Sequence, residues 1–143
     1  MSKTIILARS EFRLNIQAAL ANLADREIQQ KEWVNPRAAH RFWDSLMMYV
    51  IHDLYDDHGD MADQRAAISK VGEIFFTEEE AIKVSEFCAW FDDLVFIDIG
   101  KQEPDSAYLE HPDWPRVWSW ARECYELMQA NDEKYEFKAN WHN

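Results

Sequence analysis

The densest group of side chains able to do acid–base or metal chemistry is His52-Asp53-Leu54-Tyr55-Asp56-Asp57-His58-Gly59-Asp60. On a helix His52 and Asp56 stand four residues apart, so one face can present both to a metal ion. Asp53 and Asp57 repeat that spacing on the adjacent face. His40 precedes His52 by 12 residues. Along a straight helix that is about 18 Å, too far for the two to share one metal.

Other chemistries find less support. There is no Gly-x-Ser-x-Gly elbow and no Gly-rich phosphate loop, and the chain has only three glycines. No loop has the alternating oxygen ligands, ending in a Glu at the twelfth position, of a calcium-binding EF-hand. The two cysteines, Cys88 and Cys124, fall on apolar helical stripes. Their number excludes a disulfide scaffold or a CxxC metal site, and they read as buried thiols. No catalytic residue, metal site or cofactor is assigned.

The elements that must position these groups read as helices throughout. Ser10 can cap a helix with apolar positions Phe12, Ile16, Ala19, Leu20 and Leu23, spaced by three and four. Asp25 restarts the chain into a short helix carrying Ile28 and Trp33. Asn35-Pro36 is a helix start, with Asn at the cap and Pro in the first turn. The helix that follows runs to about Asp57 and is apolar over a wide arc, as expected of a central helix. Gly59 breaks it, and a short helix is expected around Ala62–Lys70. Glu73-Ile74-Phe75-Phe76 reads as extended. Thr77-Glu78-Glu79-Glu80 matches the capping box, Thr followed three places later by Glu. The stripe Ala81, Val84, Cys88, Phe91 and Val95 follows, flanked by Phe87 and Leu94 and ended by Gly100. A turn of helix over Ala107-Tyr108-Leu109 precedes the last long helix. Asp113 caps that helix, and its stripe is Val117, Trp120, Ala121, Cys124 and Met128. The expected fold is an all-α, single-domain bundle of about five or six helices. It spans residues 1–131, and 132–143 form a polar tail whose Tyr135, Phe137 and Trp141 can dock.

With 143 residues and 48% apolar content, the chain suits one compact domain and is too apolar for a disordered one. Its longest apolar runs, such as Leu46–Ile51, fall far short of the roughly 20 residues of a membrane span. The four-residue run Ile5–Ala8 is too short for a signal peptide. A cytoplasmic location is expected. The net charge of −12 argues against nucleic acid and against anionic membranes as partners. The charge is uneven. Residues 1–41 are net +3, 42–72 net −4, 73–113 net −10 and 114–143 net −1, and Phe42 to Gln64 contains no Lys or Arg. Such acids either solvate helix faces or make a negative field that steers a basic partner. The local concentration favours steering. The candidates are Asp53, Asp56, Asp57 and Asp60 in one group and Asp92, Asp93 and Asp98 in another, at and beyond a helix C-terminus. Seven tryptophans are more than one core of this size needs. Trp114, Trp118 and Trp141 are those the stripes do not clearly bury. Trp114 and Tyr108 are the expected anchors for a partner.

Two stretches carry a resemblance. His52-Asp53-Leu54-Tyr55-Asp56-Asp57 and Asp105-Ser106-Ala107-Tyr108-Leu109-Glu110-His111-Pro112-Asp113-Trp114-Pro115-Arg116-Val117 together resemble a family of small, acidic, uncharacterised bacterial proteins. In that family a Leu-Tyr-Asp-Asp segment precedes a Tyr-Leu-x-x-Pro-x-Trp-Pro-x-Val segment. The resemblance covers residues 9 to about 129 and carries no catalytic residues over. By its own chemistry the second stretch is mostly a corner: Pro112 stops one element, Pro115 is tolerated in the first turn of the next, and Tyr108, Leu109 and Trp114 hold the corner to the core. The pair His52-Asp53 is similar to that of the all-helical, metal-dependent phosphohydrolases of the HD type. That implies a hydrolase using His52 and Asp53, with His40 and Asp98 as the nearest further ligands, though the gap from His40 to His52 is short for that family. In size, acidity and lack of a catalytic signature, the chain resembles the immunity proteins of bacterial toxin systems, including contact-dependent growth inhibition. The resemblance is one of type and shares no motif. It implies a non-catalytic protein that binds and neutralises a basic, nuclease-like toxin domain. A metal-dependent hydrolase and a non-catalytic regulatory or structural module are the alternatives.

Overall fold

A computed structural model describes residues 6–33, 61–100 and 106–135. The expected central helix, with His40, His52, Asp53, Asp56, Asp57 and Asp60, lies outside these residues, as do Phe137 and Trp141. Among the described residues the fold is all-α, and the only β-type pairing is an isolated bridge between Val71 and Phe75.

Helix α1 (Ser10–Ala24) buries Ile16, Ala19, Leu20 and Leu23 on its expected stripe. Ser10 is not its cap. Arg9 holds that position without a side-chain bond, and Ser10 is already helical and buried. The start is set instead by backbone pairing upstream: the Ala8 and Arg9 N–H groups donate to the carbonyls of Gly72 (3.1 Å) and Glu73 (2.8 Å). Asp25 caps the short α2 (Arg26–Ile28) by accepting from the Ile28 N–H at 3.0 Å, and α2 widens into a π-helical turn over Gln29–Trp33. Asp63 caps α3 (Gln64–Ile68) in the same way. The expected extended run after it is a turn. The N–H groups of Glu73, Ile74 and Phe75 all converge on the Lys70 carbonyl, so the chain curls, helped by Gly72 at φ +91°.

Thr77 caps α4 (Glu78–Asp93), its Oγ1 accepting from the Glu80 N–H at 3.1 Å. The helix then widens into a second π-helical stretch, Leu94–Ile99, and stops at Gly100, whose φ of +73° suits a residue without a Cβ. After α5 (Ser106–Leu109), α6 (Trp114–Lys134) closes the described fold. Asp113 stands at the N-cap position of α6, as expected, but does not cap it with its side chain. Its own backbone is helical (φ −91°, ψ −1°) and its side chain makes no cap bond. His111 shapes the corner instead: its Nδ1 accepts from the Asp113 N–H and its carbonyl from the Trp114 N–H, both at 3.0 Å. Helices α1 and α4 both pack on α6, and α3 packs on α4. Past residue 131, the first residues of the expected tail lie against the bundle. Asp132 bonds to α1, and Tyr135 stacks on Phe76 with ring centroids 5.1 Å apart. No helix of the described residues is long and apolar enough to cross a membrane.

Candidate functional site

Two buried polar clusters hold the helices in place. In the first, Arg13 of α1 lies fully buried and finds an acceptor for each of its five N–H bonds. It forks onto both carboxylate oxygens of Glu80 and donates to the Ile74 and Met128 carbonyls, each at 3.0 Å, and to Asp132 at 2.9 Å. Phe76 covers its guanidinium at 4.5 Å. Glu80 also accepts from the Phe76 N–H and from Asn131 Nδ2, both at 2.9 Å. The capping-box glutamate therefore turns away from the Thr77 N–H toward a buried cation. In the second cluster Gln29 donates to the Asn22 and Leu23 carbonyls at the end of α1 and accepts from the indoles of Trp114 and Trp118, both at 2.8 Å. One amide thus closes a helix end and ties it to α6.

With α4 and α6 so fixed, their flanks form a surface of tryptophan and acid. The buried stripe of α6 is Trp114, Val117, Ala121, Cys124, Met128 and Asn131. Trp120 sits beside that stripe, half-buried, rather than within it as its apolar character suggests. Trp90 is likewise half-buried on the flank of α4. The two indoles lie 5.4 Å apart between centroids with planes inclined by 32°, and the buried Phe87 floors the pair at 6.3 and 5.8 Å. The Arg116 guanidinium stands 5.0 Å from each indole centroid. Helix register places the exposed Glu86 and Asp93 four before and three after Trp90, and the exposed Glu123 three after Trp120. Asp113, also exposed, precedes Arg116 by three. Lys83 reaches across to Glu123 at 3.4 Å. Beyond Asp93, Ile97 is 73% exposed. Paired aromatics floored by a core residue and edged by carboxylates suit a basic protein surface.

Among the acids singled out from the sequence, Asp93 and Asp98 are exposed and Asp92 is half-buried. Asp92 and Asp93 end the α-helical part of α4, as expected, and Asp98 falls in the last turn of the π-helical stretch that continues it to Ile99, where the dipole opposes it. Tyr108 and Trp114 are both at 0% exposure, which corrects their assignment as partner anchors. Trp114 opens the buried α6 stripe one turn before Val117, and the Tyr108 hydroxyl donates to the Gly100 carbonyl at 2.9 Å. They hold the corner; Trp90, Trp118 and Trp120 are the half-buried indoles among the described residues, Trp118 being tied to Gln29 with Arg26 over its ring, and Trp90 and Trp120 pairing with each other. Register separates Trp90, one position before the stripe residue Phe91, but not Trp120, which fits the three-and-four spacing between Val117 and Cys124 and is set on the flank only by the packing of α4 on α6.

A groove of about 480 Å³ runs along the other flank of α6, beside the end of α1 and α2. Its Arg26 and Arg122 face Asp25, Glu27 and Glu126, so it carries no single-signed field. Both cysteines are buried thiols. Burial pushes the Cys124 thiol up to about 12, so it is no nucleophile in the folded protein. Among the described residues no group of three or more His, Cys, Asp or Glu side chains is placed to hold a metal ion.

No curated protein and no solved structure gave a significant match to the chain. A family model does match, over residues 7–136, which takes in every helix described above. The chain belongs to that family, described as Domain of unknown function (DUF7945).

Proposed function

We propose that this chain is a non-catalytic binding protein for a basic protein partner, and that the partner is a bacterial toxin domain which it neutralises as an immunity protein. The observation that carries the reading is the α4–α6 face, with Trp90 and Trp120 half-buried side by side and Glu86, Asp93 and Glu123 spaced around them. Tryptophan is enriched among the few residues that carry most of the affinity at protein interfaces, and surrounding charges supply speed and register. The net charge of −10 over residues 73–113 adds a field of the right sign. A nuclease-like toxin needs a positive surface for its substrate, and carboxylates laid over that surface would block it.

Co-expression with the product of the adjacent upstream reading frame, followed by native mass spectrometry, tests this reading. The expected result is a stable complex with a basic C-terminal domain that kills cells when expressed alone. Absence of any complex overturns the toxin reading. Within such a complex, reversing charge at Asp93 and Asp98 to Lys should slow association about tenfold at low salt and much less at high salt. An association rate that stays unchanged, measured by stopped flow, removes the steering argument.

A further inference from the structure

We propose that the Trp90–Trp120 pair is a seat for an arginine side chain of the partner, and that Arg116 occupies this seat in the free protein. The inference rests on the reading of the α4–α6 face as the surface for a basic partner.

Arg116 is exposed, and the chain around it is strongly acidic, yet its guanidinium makes no ion pair among the described residues. It lies over two indoles at once, 5.0 Å from each centroid. That is the position a guanidinium takes over aromatic faces, where the ring quadrupole attracts it and its plane can stack. Phe87 supports the seat from the core, so the rings do not depend on Arg116 for their position. Arg116 therefore behaves as a tethered stand-in. An arriving arginine would displace it toward solvent, where Asp113, three residues earlier, is a helix neighbour able to take the freed charge. Glu86, Asp93 and Glu123 border the seat and make the incoming group a cation. Arginine is favoured over lysine because only the guanidinium combines charge with a stacking plane.

The test uses the full chain and a tetra-arginine peptide with blocked ends. Affinity is read by calorimetry, and the indole N–H signals by two-dimensional NMR. The peptide should shift the indole signals of Trp90 and Trp120, assigned with W90F and W120F, and leave those of Trp114 and Trp118 in place. Tetra-lysine of equal charge should bind more weakly. Arg116→Gln removes the competitor at an exposed position and should tighten tetra-arginine binding about three- to fivefold, the worth of one exposed cation–π contact. Arg122→Gln makes the same charge change on the opposite flank of α6 and should have much less effect. Unchanged or weaker binding by R116Q overturns the proposal. So does equal tightening by R122Q, or a peptide that binds without moving the two indole signals. A toxin complex whose affinity survives Trp120→Leu overturns the seat and leaves the proposed function standing. A seat that passes these tests in a chain with no toxin partner does the reverse.

Discussion

Glu80→Gln changes one atom of a buried side chain and removes its charge, with almost no change in volume. The wild-type carboxylate accepts four hydrogen bonds: two from Arg13, one from the Phe76 N–H and one from Asn131. The amide of E80Q has one oxygen and one NH2 group. If its oxygen faces the Phe76 N–H, its NH2 group faces two further donors, Arg13 Nη2 and Asn131 Nδ2. Turned over, it faces Arg13 Nη1 and the Phe76 N–H instead. In either orientation two donors lose their acceptor. The Arg13 charge is left with Asp132, whose side chain is 24% exposed. Breaking a buried pair from one side costs about 3–5 kcal/mol, because the other charge stays buried. For a chain of this size that lowers Tm by roughly 10–15 °C. Urea unfolding followed by circular dichroism measures the cost, with the exposed Glu79→Gln as control, expected within about 0.5 kcal/mol of wild type. A cycle with Arg13→Met should show coupling of about 1.5–3 kcal/mol, because the second substitution removes the charge that the first strands. A loss below about 1 kcal/mol for E80Q, or additive single and double substitutions, would refute the claim that this pair locks α1, α4 and α6 together.

Two further outcomes follow from the buried groups. Gln29→Leu removes the side-chain acceptor of the buried Trp114 indole N–H and the side-chain donor to the Asn22 and Leu23 carbonyls. The expected loss is about 2–3 kcal/mol in urea unfolding, and a loss near zero would show that α1 does not depend on this amide. Cys124 ionises near its ordinary value of 9.0 when unfolded but only at about 12 when folded, mainly through burial. Between those values the unfolded chain has lost a proton that the folded chain keeps, so stability falls as pH rises through the window. Cys124→Ala should flatten that fall, and iodoacetamide should label Cys124 only in denaturant, as read by peptide mass mapping.

Helix class, and most of the helix faces, were legible in one dimension. The stripes of α1 and α4 lie at three- and four-residue spacing, and apart from the half-buried Phe12 those positions are buried as that spacing requires. Local caps were legible where a side chain bonds a backbone N–H two or three residues ahead, as at Asp25 and Thr77. They failed at the side chains of Ser10 and Asp113, because the N–H groups such caps would take donate to backbone carbonyls instead: Phe12 and Arg13 to Arg9, and Arg116 to Asp113. Polar residues inside apolar stripes gave no periodic signal. Arg13 and Glu80 are 67 residues apart and Gln29 and Trp114 are 85 apart, and only packing shows that each completes the other. The acidity of the 73–113 segment, and Asp93 within it, could be read directly from residue types. Which indoles reach the surface could not. Trp114 and Trp120 sit on one helix six residues apart, and the packing of α4 on α6 leaves one in the core and the other on the flank beside Trp90. Residue type and spacing are local quantities and decide helix, stripe and charge. The seat formed by Trp90, Trp120 and Arg116 joins two helices, so it exists only once α4 is laid against α6.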